Sequence, residues 1–173
     1  ASDVYKRQIP SGVDEKFLEG ESVNDHVLRL SREKSLAVAR SNPDAWVLGA
    51  DTIVVIDGEH LGKPGSKKEA REMLLRLSGK KHRVLTGFSV VRTSVNVVKS
   101  DLVESSVFFK EVSADELEWY IGTEEPYDKA GGYAVQGKAA SFVKEIRGSH
   151  TNVIGLPLSE VVAALKEVGA ISF

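Results

Sequence analysis

Apolar positions recur at helical spacing in four stretches of the chain. From about Val23 to Arg40, Val27, Leu30, Ala37 and Val38 fall on one face, and Lys34 stands in the middle of that stripe. A second helix is expected to start at Ser66, with Glu69 completing a capping box. Ala70, Met73, Leu74 and Leu77 follow, and Gly79 ends it. The third opens at Ser113 with Glu116 as box partner, carries Leu117, Tyr120 and Ile121, and stops at Gly122. The fourth begins near Pro157 and carries Leu158, Val161, Val162, Leu165 and Val168 up to Gly169.

Between these stretches the pattern turns β-rich. Trp46 to Leu48 and Thr52 to Ile56 read as strands, and Asp57-Gly58 signals a hairpin to Glu59–Leu61. Arg83 to Arg92 and Asn96 to Phe109 read as two long neighbouring strands, with Val103, Ser105, Val107 and Phe109 on one face. Tyr133 to Gln136 and Ser141 to Ile146 are shorter candidates. Interleaved helices and strands, with adjacent antiparallel pairs, predict an α/β protein with a mixed sheet flanked by helices. There is no internal repeat or linker-like tract, so one domain is expected.

Composition narrows the class. The 173 residues are 42% hydrophobic and 28% charged, as expected of a globular domain with a buried core. Lys and Arg number 23 against 25 Asp and Glu, a balance that argues against broad nucleic-acid binding. A small anion held by a few cations stays compatible with it. The absence of cysteine removes disulfides, thiolate metal sites and cysteine nucleophiles, and agrees with a cytoplasmic location. No apolar run approaches the roughly 20 residues of a membrane span, and no secretory signal is visible.

Several residues break the pattern. Asp51 interrupts an apolar strand run, where a carboxylate must be paired, metal-bound, protonated or bonded to local backbone. Gly62-Lys63-Pro64 closes the hairpin that Asp51 opens, so Lys63 returns towards it. An Asp and a Lys meeting there suit a phosphate and its metal ion, and an ordinary turn is the alternative. Lys34 must either snorkel out of its stripe or meet an anion. Asp14-Glu15 offer oxygens that suit a hard divalent cation, or a solvated acidic turn. Glu125 to Gly137 is dense in glycine, tyrosine and polar groups, as binding loops are, and the Gln136 amide could read a base. Gly132 to Lys138 imitates a phosphate-binding P-loop but fails at Ala139, and a strand pattern follows instead of a helix. His26, His60, His82 and His150 lack metal-ligand spacing, and Ser149-His150 is too isolated for a nucleophile–base pair.

Together, Pro10-Ser11-Gly12-Val13-Asp14-Glu15, Arg32-Glu33-Lys34, Gly49-Ala50-Asp51-Thr52-Ile53-Val54, Gly62-Lys63-Pro64 and Lys129 through Gly137 resemble the Maf family of nucleoside triphosphate pyrophosphatases, also described as septum-formation inhibitors. Gly148-Ser149 and Asn152 through Pro157 fit as well, so the resemblance runs from about Ile9 to the C-terminus. It implies an elongated, two-lobed α/β fold with a central cleft. It also implies metal-assisted hydrolysis of a nucleoside triphosphate to the monophosphate and pyrophosphate. Asp51 matches the catalytic aspartate, and Glu15, Lys34 and Lys63 match active-site positions. Glu15 and Asp51 would hold magnesium or manganese. Thr52 and Gln136 match specificity positions, and Lys129 adds a substrate contact. Ala-Asp-Thr and Gln-Gly point to the branch acting on dTTP and UTP. A homodimer is expected at the family level, with no nucleic-acid or membrane partner.

One departure accompanies the match. The family's first strand and its Ser-x-Arg-Arg motif have no counterpart, and residues 1–8 do not fit the family, so the matching domain is expected over 9–173. Such a chain would lack two phosphate-binding arginines. The competing expectation is therefore a non-catalytic nucleotide-binding regulator of cell division.

Overall fold

The structure, a computed structural model, describes residues 7–173. The residues expected to stand apart from the family, 1–8, therefore lie outside the described part up to Lys6.

Residues 7–22 carry no helix or strand. Helix α1 then spans Val23–Ala39, opened by Ser22, whose side chain accepts from the Asp25 amide. A hairpin follows. Strand β1, Val47–Ile56, turns at Asp57-Gly58, both at positive φ, into the short β2, Glu59–Leu61. Helix α2, Lys67–Leu77, leads to β3, Lys81–Arg92, which pairs with β1 on the side away from β2. A single 3₁₀ turn then carries the chain into β4, Val97–Phe109. Helix α3, Ala114–Ile121, has the expected reciprocal capping box of Ser113 and Glu116. At α2 the box is incomplete: Ser66 caps Glu69, but Glu69 reaches past it to the Gly65 amide. Strand β5, Val143–Arg147, helix α4, His150–Ile154, and helix α5, Leu158–Glu167, complete the described elements.

The sheet order is β2-β1-β3-β4-β5, and every pairing is antiparallel. The expected α/β class with helices against a sheet is what forms, with strand directions uniform where a mixture was expected. The cause lies in the connections. Two tight turns join β1 to β2 and β3 to β4, and α2 carries the chain across to the far side of β1, so that β3 runs in the direction of β2 and both oppose the strand between them. The runs expected at Trp46–Leu48 and Thr52–Ile56 belong to one strand that starts at Val47, because Asp51 pairs with Gly87 in unbroken register. Tyr133 to Gln136 forms no strand. Short 3₁₀ turns precede and follow it, and the backbone closes on itself through the Gly137 amide to Ala134.

Strand alternation distributes the core. Val54, Ile56, Val84, Val107 and Phe109 face α2, α3 and the loop residues Tyr133 and Phe142. Phe88 and Val90 continue that parity against Val161 and Ala164 of α5. On the opposite face Ile53, Val55 and Leu85 pack on Val27 of α1. Two glycines let α1 lie close to the sheet. A Cβ at Gly49 would stand 2.4 Å from the Ser31 carbonyl oxygen, and one at Gly87 would stand 2.5 Å from that of Val27. The helix answers with small residues, and Ser31 Oγ meets Ser89 Oγ across the interface at 2.8 Å. This close approach fixes the height of Lys34 above β1.

Candidate active site

Strand β2 covers only Val54 to Ile56 of β1. Among the described residues, the outer edge of β1 from Val47 to Ile53 has no strand partner. Asp51 and Thr52 stand on that edge with opposite orientations. Asp51 shares the parity of Ile53 and faces α1, while Thr52 faces the side that carries α4. A cavity of about 290 Å³ wraps around the edge and is lined by Glu15, Lys34, Asp51, Thr52, Lys63 and Lys129, among others. A neighbouring cavity of about 420 Å³ shares Glu15, Asp51, Thr52 and Lys63, so the two form one cleft.

Lys34 is the centre of the cleft's electrostatics. Its Nζ donates to Asp51 Oδ1 at 2.7 Å and lies 2.5 Å from Glu15 Oε1. The lysine side chain is 18% exposed and that of Asp51 11%, while Glu15 is half exposed. Burial alone would lower the Lys34 pKa, but the bonds to Asp51 and Glu15 outweigh it and raise the value. Glu15 is held below the usual carboxylate range, chiefly by its bond to Lys34, against the opposing effect of burial. Lys63 approaches Glu15 at 3.9 Å from the exit of β2. Lys129 Nζ pairs with Asp128 Oδ2 at 2.5 Å on the far wall. The lysine that interrupts the apolar stripe therefore meets two anions instead of snorkelling to solvent.

Thr52 Oγ1 lies 2.9 Å from Thr86 Oγ1 on β3 and donates to the Gly155 carbonyl at 3.4 Å. Thr86 in turn donates to the Asn152 carbonyl. Asn152 is fully buried, and its Nδ2 donates to the Val84 carbonyl and Ser105 Oγ. This chain of bonds holds α4 against the sheet, so that Val153, Ile154 and Gly155 line the cleft.

Glu15, Lys34, Asp51, Thr52, Lys63 and Lys129 are brought together; Gln136 is not. It is exposed and stands outside the lining of both cavities. Its loop is anchored elsewhere: Glu125 accepts from Tyr120 Oη and from the Lys138 and Ala139 amides. Asp128, Tyr133 and the α4 residues also line the cleft; the sequence marks their segments as a binding loop or a family match but singles out none of them as a site residue. Tyr133 sits in a buried pair with His82, Nε2 to Oη at 2.7 Å. The five-residue α4 is too short to leave a periodic signal; its Ser149 cap and left-handed Gly155 were the legible signs. Among the described residues no three His, Cys, Asp or Glu side chains converge as a metal cluster.

Comparison with known proteins adds an independent line. The sequence pattern of the Maf-like protein family matches residues 3–168. A dTTP/UTP pyrophosphatase of Syntrophus aciditrophicus is 56% identical over 165 residues, covering 95% of this chain and 80% of that protein. A protein of the same description from Geotalea uraniireducens is 48% identical over 94% of this chain and 84% of its own length. A third, from Clostridioides difficile, is 44% identical over 98% of this chain and 86% of its own.

Proposed function

The chain belongs to the Maf-like protein family, and from that premise we propose that it hydrolyses dTTP and UTP to the monophosphate and pyrophosphate. The observation that carries the proposal is the Lys34 ammonium set between Glu15 and Asp51 at the wall of an open cleft. The relatives described as dTTP/UTP pyrophosphatases support the choice of substrate.

In this reading water attacks the α-phosphorus and Asp51 accepts its proton. The bond from Lys34 uses Oδ1, so Oδ2 is the oxygen assigned to that proton. The bond from Lys34 holds the Asp51 carboxylate in place until the proton moves. Lys63 and Lys129 enter from separate loops and bind the triphosphate, placing positive charge where the leaving pyrophosphate gathers negative charge. Thr52 contacts the nucleoside from the α4 side. Gln136, outside the lining of both cavities, is assigned to the base on the family resemblance alone.

The donor set fits a divalent cation. Glu15 and Asp51 supply oxygen donors of the kind such an ion takes, since magnesium or manganese typically binds one or two carboxylates together with substrate phosphate oxygens and water. Glu15 and Asp51 would hold it. When bound it would neutralise phosphate charge and ease ionisation of water. No described helix is long and apolar enough to cross a membrane. The proposal extends to a cytoplasmic location and to a homodimer, which analytical ultracentrifugation tests.

The direct test is pyrophosphate release across a nucleotide panel with magnesium or manganese. The proposal expects dTTP and UTP to lead the panel. Binding of dTTP by calorimetry without release from any nucleotide would replace it with the non-catalytic regulator.

A further inference from the structure

Glu15 lies in a segment without helix or strand, yet its carboxylate forms an ion pair with Lys34 at 2.5 Å. Something must hold that segment, because a free loop would spread Glu15 over many positions. The next residues supply the hold. The Phe17 ring is stacked between two histidines, parallel to His26 of α1 at 3.6 Å and near-parallel to His60 of β2 at 4.2 Å. Its remaining side packs on the cluster of Val27, Ile53, Val55 and Leu85. The backbone on either side is tied as well. Arg29 Nη2 donates to the Lys16 carbonyl at 3.0 Å, and the Leu18 amide donates to Glu21 Oε2 at 3.1 Å. Glu21 also takes Arg29 Nε at 2.6 Å and faces His26 Nδ1 at 2.9 Å.

We propose that Phe17, with His26, His60, Arg29 and Glu21, forms a clamp that positions Glu15 in the cleft. The clamp joins α1, which carries Lys34, to β2, which leads into Lys63 two residues past its end. His26 and Arg29 stand on α1, which bears Lys34, and His60 stands on β2, three residues before Lys63. Seating Phe17 therefore sets Glu15 relative to both cations at once. Phe17, which with His26 and His60 lines the second cavity, is assigned as a positioning residue that acts through Glu15. The inference rests on the catalytic reading of Glu15 given above.

Two measurements test it, one of them independent of activity. Hydrogen exchange of the Leu18 amide should accelerate in Phe17→Ala and in Arg29→Met, while the amides of β1 and β3 stay protected; Phe17→Tyr, which keeps the stack, should restore the parent rate. Unchanged exchange at Leu18 in both disruptive variants overturns the clamp. The second is a double-mutant cycle on pyrophosphate release from dTTP. Phe17→Ala should lower kcat/KM by about tenfold or more in the parent, since small misplacements of a catalytic group carry costs of that order. In a Glu15→Gln background the same change should cost less than about twofold, because the group it positions is already gone. Additive losses overturn the link to Glu15. Full activity in Glu15→Gln alone overturns the catalytic reading of Glu15 and with it the clamp's purpose, and accelerated exchange at Leu18 distinguishes that failure from a failure of the clamp itself.

Discussion

Replacing Lys34 by methionine removes the cation and keeps most of the side chain's volume. At 2.7 Å and an effective dielectric constant of about 20, the Lys34–Asp51 attraction is roughly 6 kcal/mol before desolvation. Desolvation of both groups offsets most of that. Breaking a fully buried pair typically costs about 3–5 kcal/mol, and an exposed pair about 0–1. This pair lies between those limits, with Asp51 11% exposed and a second partner, Glu15, open to water. A loss of about 1–2 kcal/mol follows, and for a chain of this size the melting temperature should fall by roughly 2–8 °C. Turnover should fall further, by about a hundredfold or more, because a preorganised charge is lost from the cleft. Thermal melts and pyrophosphate release from dTTP measure both quantities. Lys34→Met with the parent melting temperature and turnover within threefold of the parent would refute the central role given to this lysine.

Four further outcomes are expected. Asp51→Asn should lose at least about a thousandfold in turnover yet leave the melting temperature within a few degrees, since Glu15 still receives Lys34; parent-like turnover removes Asp51 as the proton acceptor. Gly87→Ala should cost about 1–3 kcal/mol and depress turnover, because its Cβ would stand 2.5 Å from the Val27 carbonyl and lift α1 with Lys34; a denaturant melt superimposable on the parent's contradicts that packing. His82 is almost fully buried and burial lowers its pKa to about 4 from 6.5, so below pH 6.5 the unfolded chain gains a proton that the folded chain refuses. Stability should drop by a few kcal/mol between pH 6.5 and pH 4, and His82→Gln should flatten that part of the profile; an identical profile in the variant assigns the acid loss to other groups. The Glu15 contribution runs the same way, since its lowered pKa makes its stabilisation present above the usual carboxylate range and lost as pH falls through the folded value, so Glu15→Gln should be least stable relative to the parent near neutrality.

Local signals carried much of the fold. Capping residues at Ser66 and Ser113, the Asp57-Gly58 turn and the α1 stripe mark real element ends, because each acts over a few residues. The continuity of β1 was hidden, since Gly49 and Asp51 lower strand propensity while their tertiary partners, α1 and Lys34, favour the strand. The Tyr133–Gln136 segment alternates like a strand but is held by turns and by Glu125, a constraint eleven residues away from Gln136 that periodicity cannot express. Strand directions depend on how connections cross the sheet, so uniform antiparallel pairing was not readable position by position. In the site, Lys34 and Asp51 stood out as violations of their local pattern, and violations of that kind are what functional sites leave in a sequence. Asp128, Tyr133 and α4 obey their local patterns and reach the cleft only through long-range packing. The same holds for Phe17, whose partners lie on two separate elements.

The central claim is that water attacks the α-phosphorus of a nucleoside triphosphate within the Glu15–Lys34–Asp51 cleft. Turnover of dTTP in ¹⁸O-labelled water, followed by mass spectrometry of both products, tests it most directly. The account predicts the label in dTMP and none in pyrophosphate, with the labelled product lost in Asp51→Asn. Label in pyrophosphate, release of orthophosphate in its place, or labelled dTMP undiminished in Asp51→Asn would contradict it.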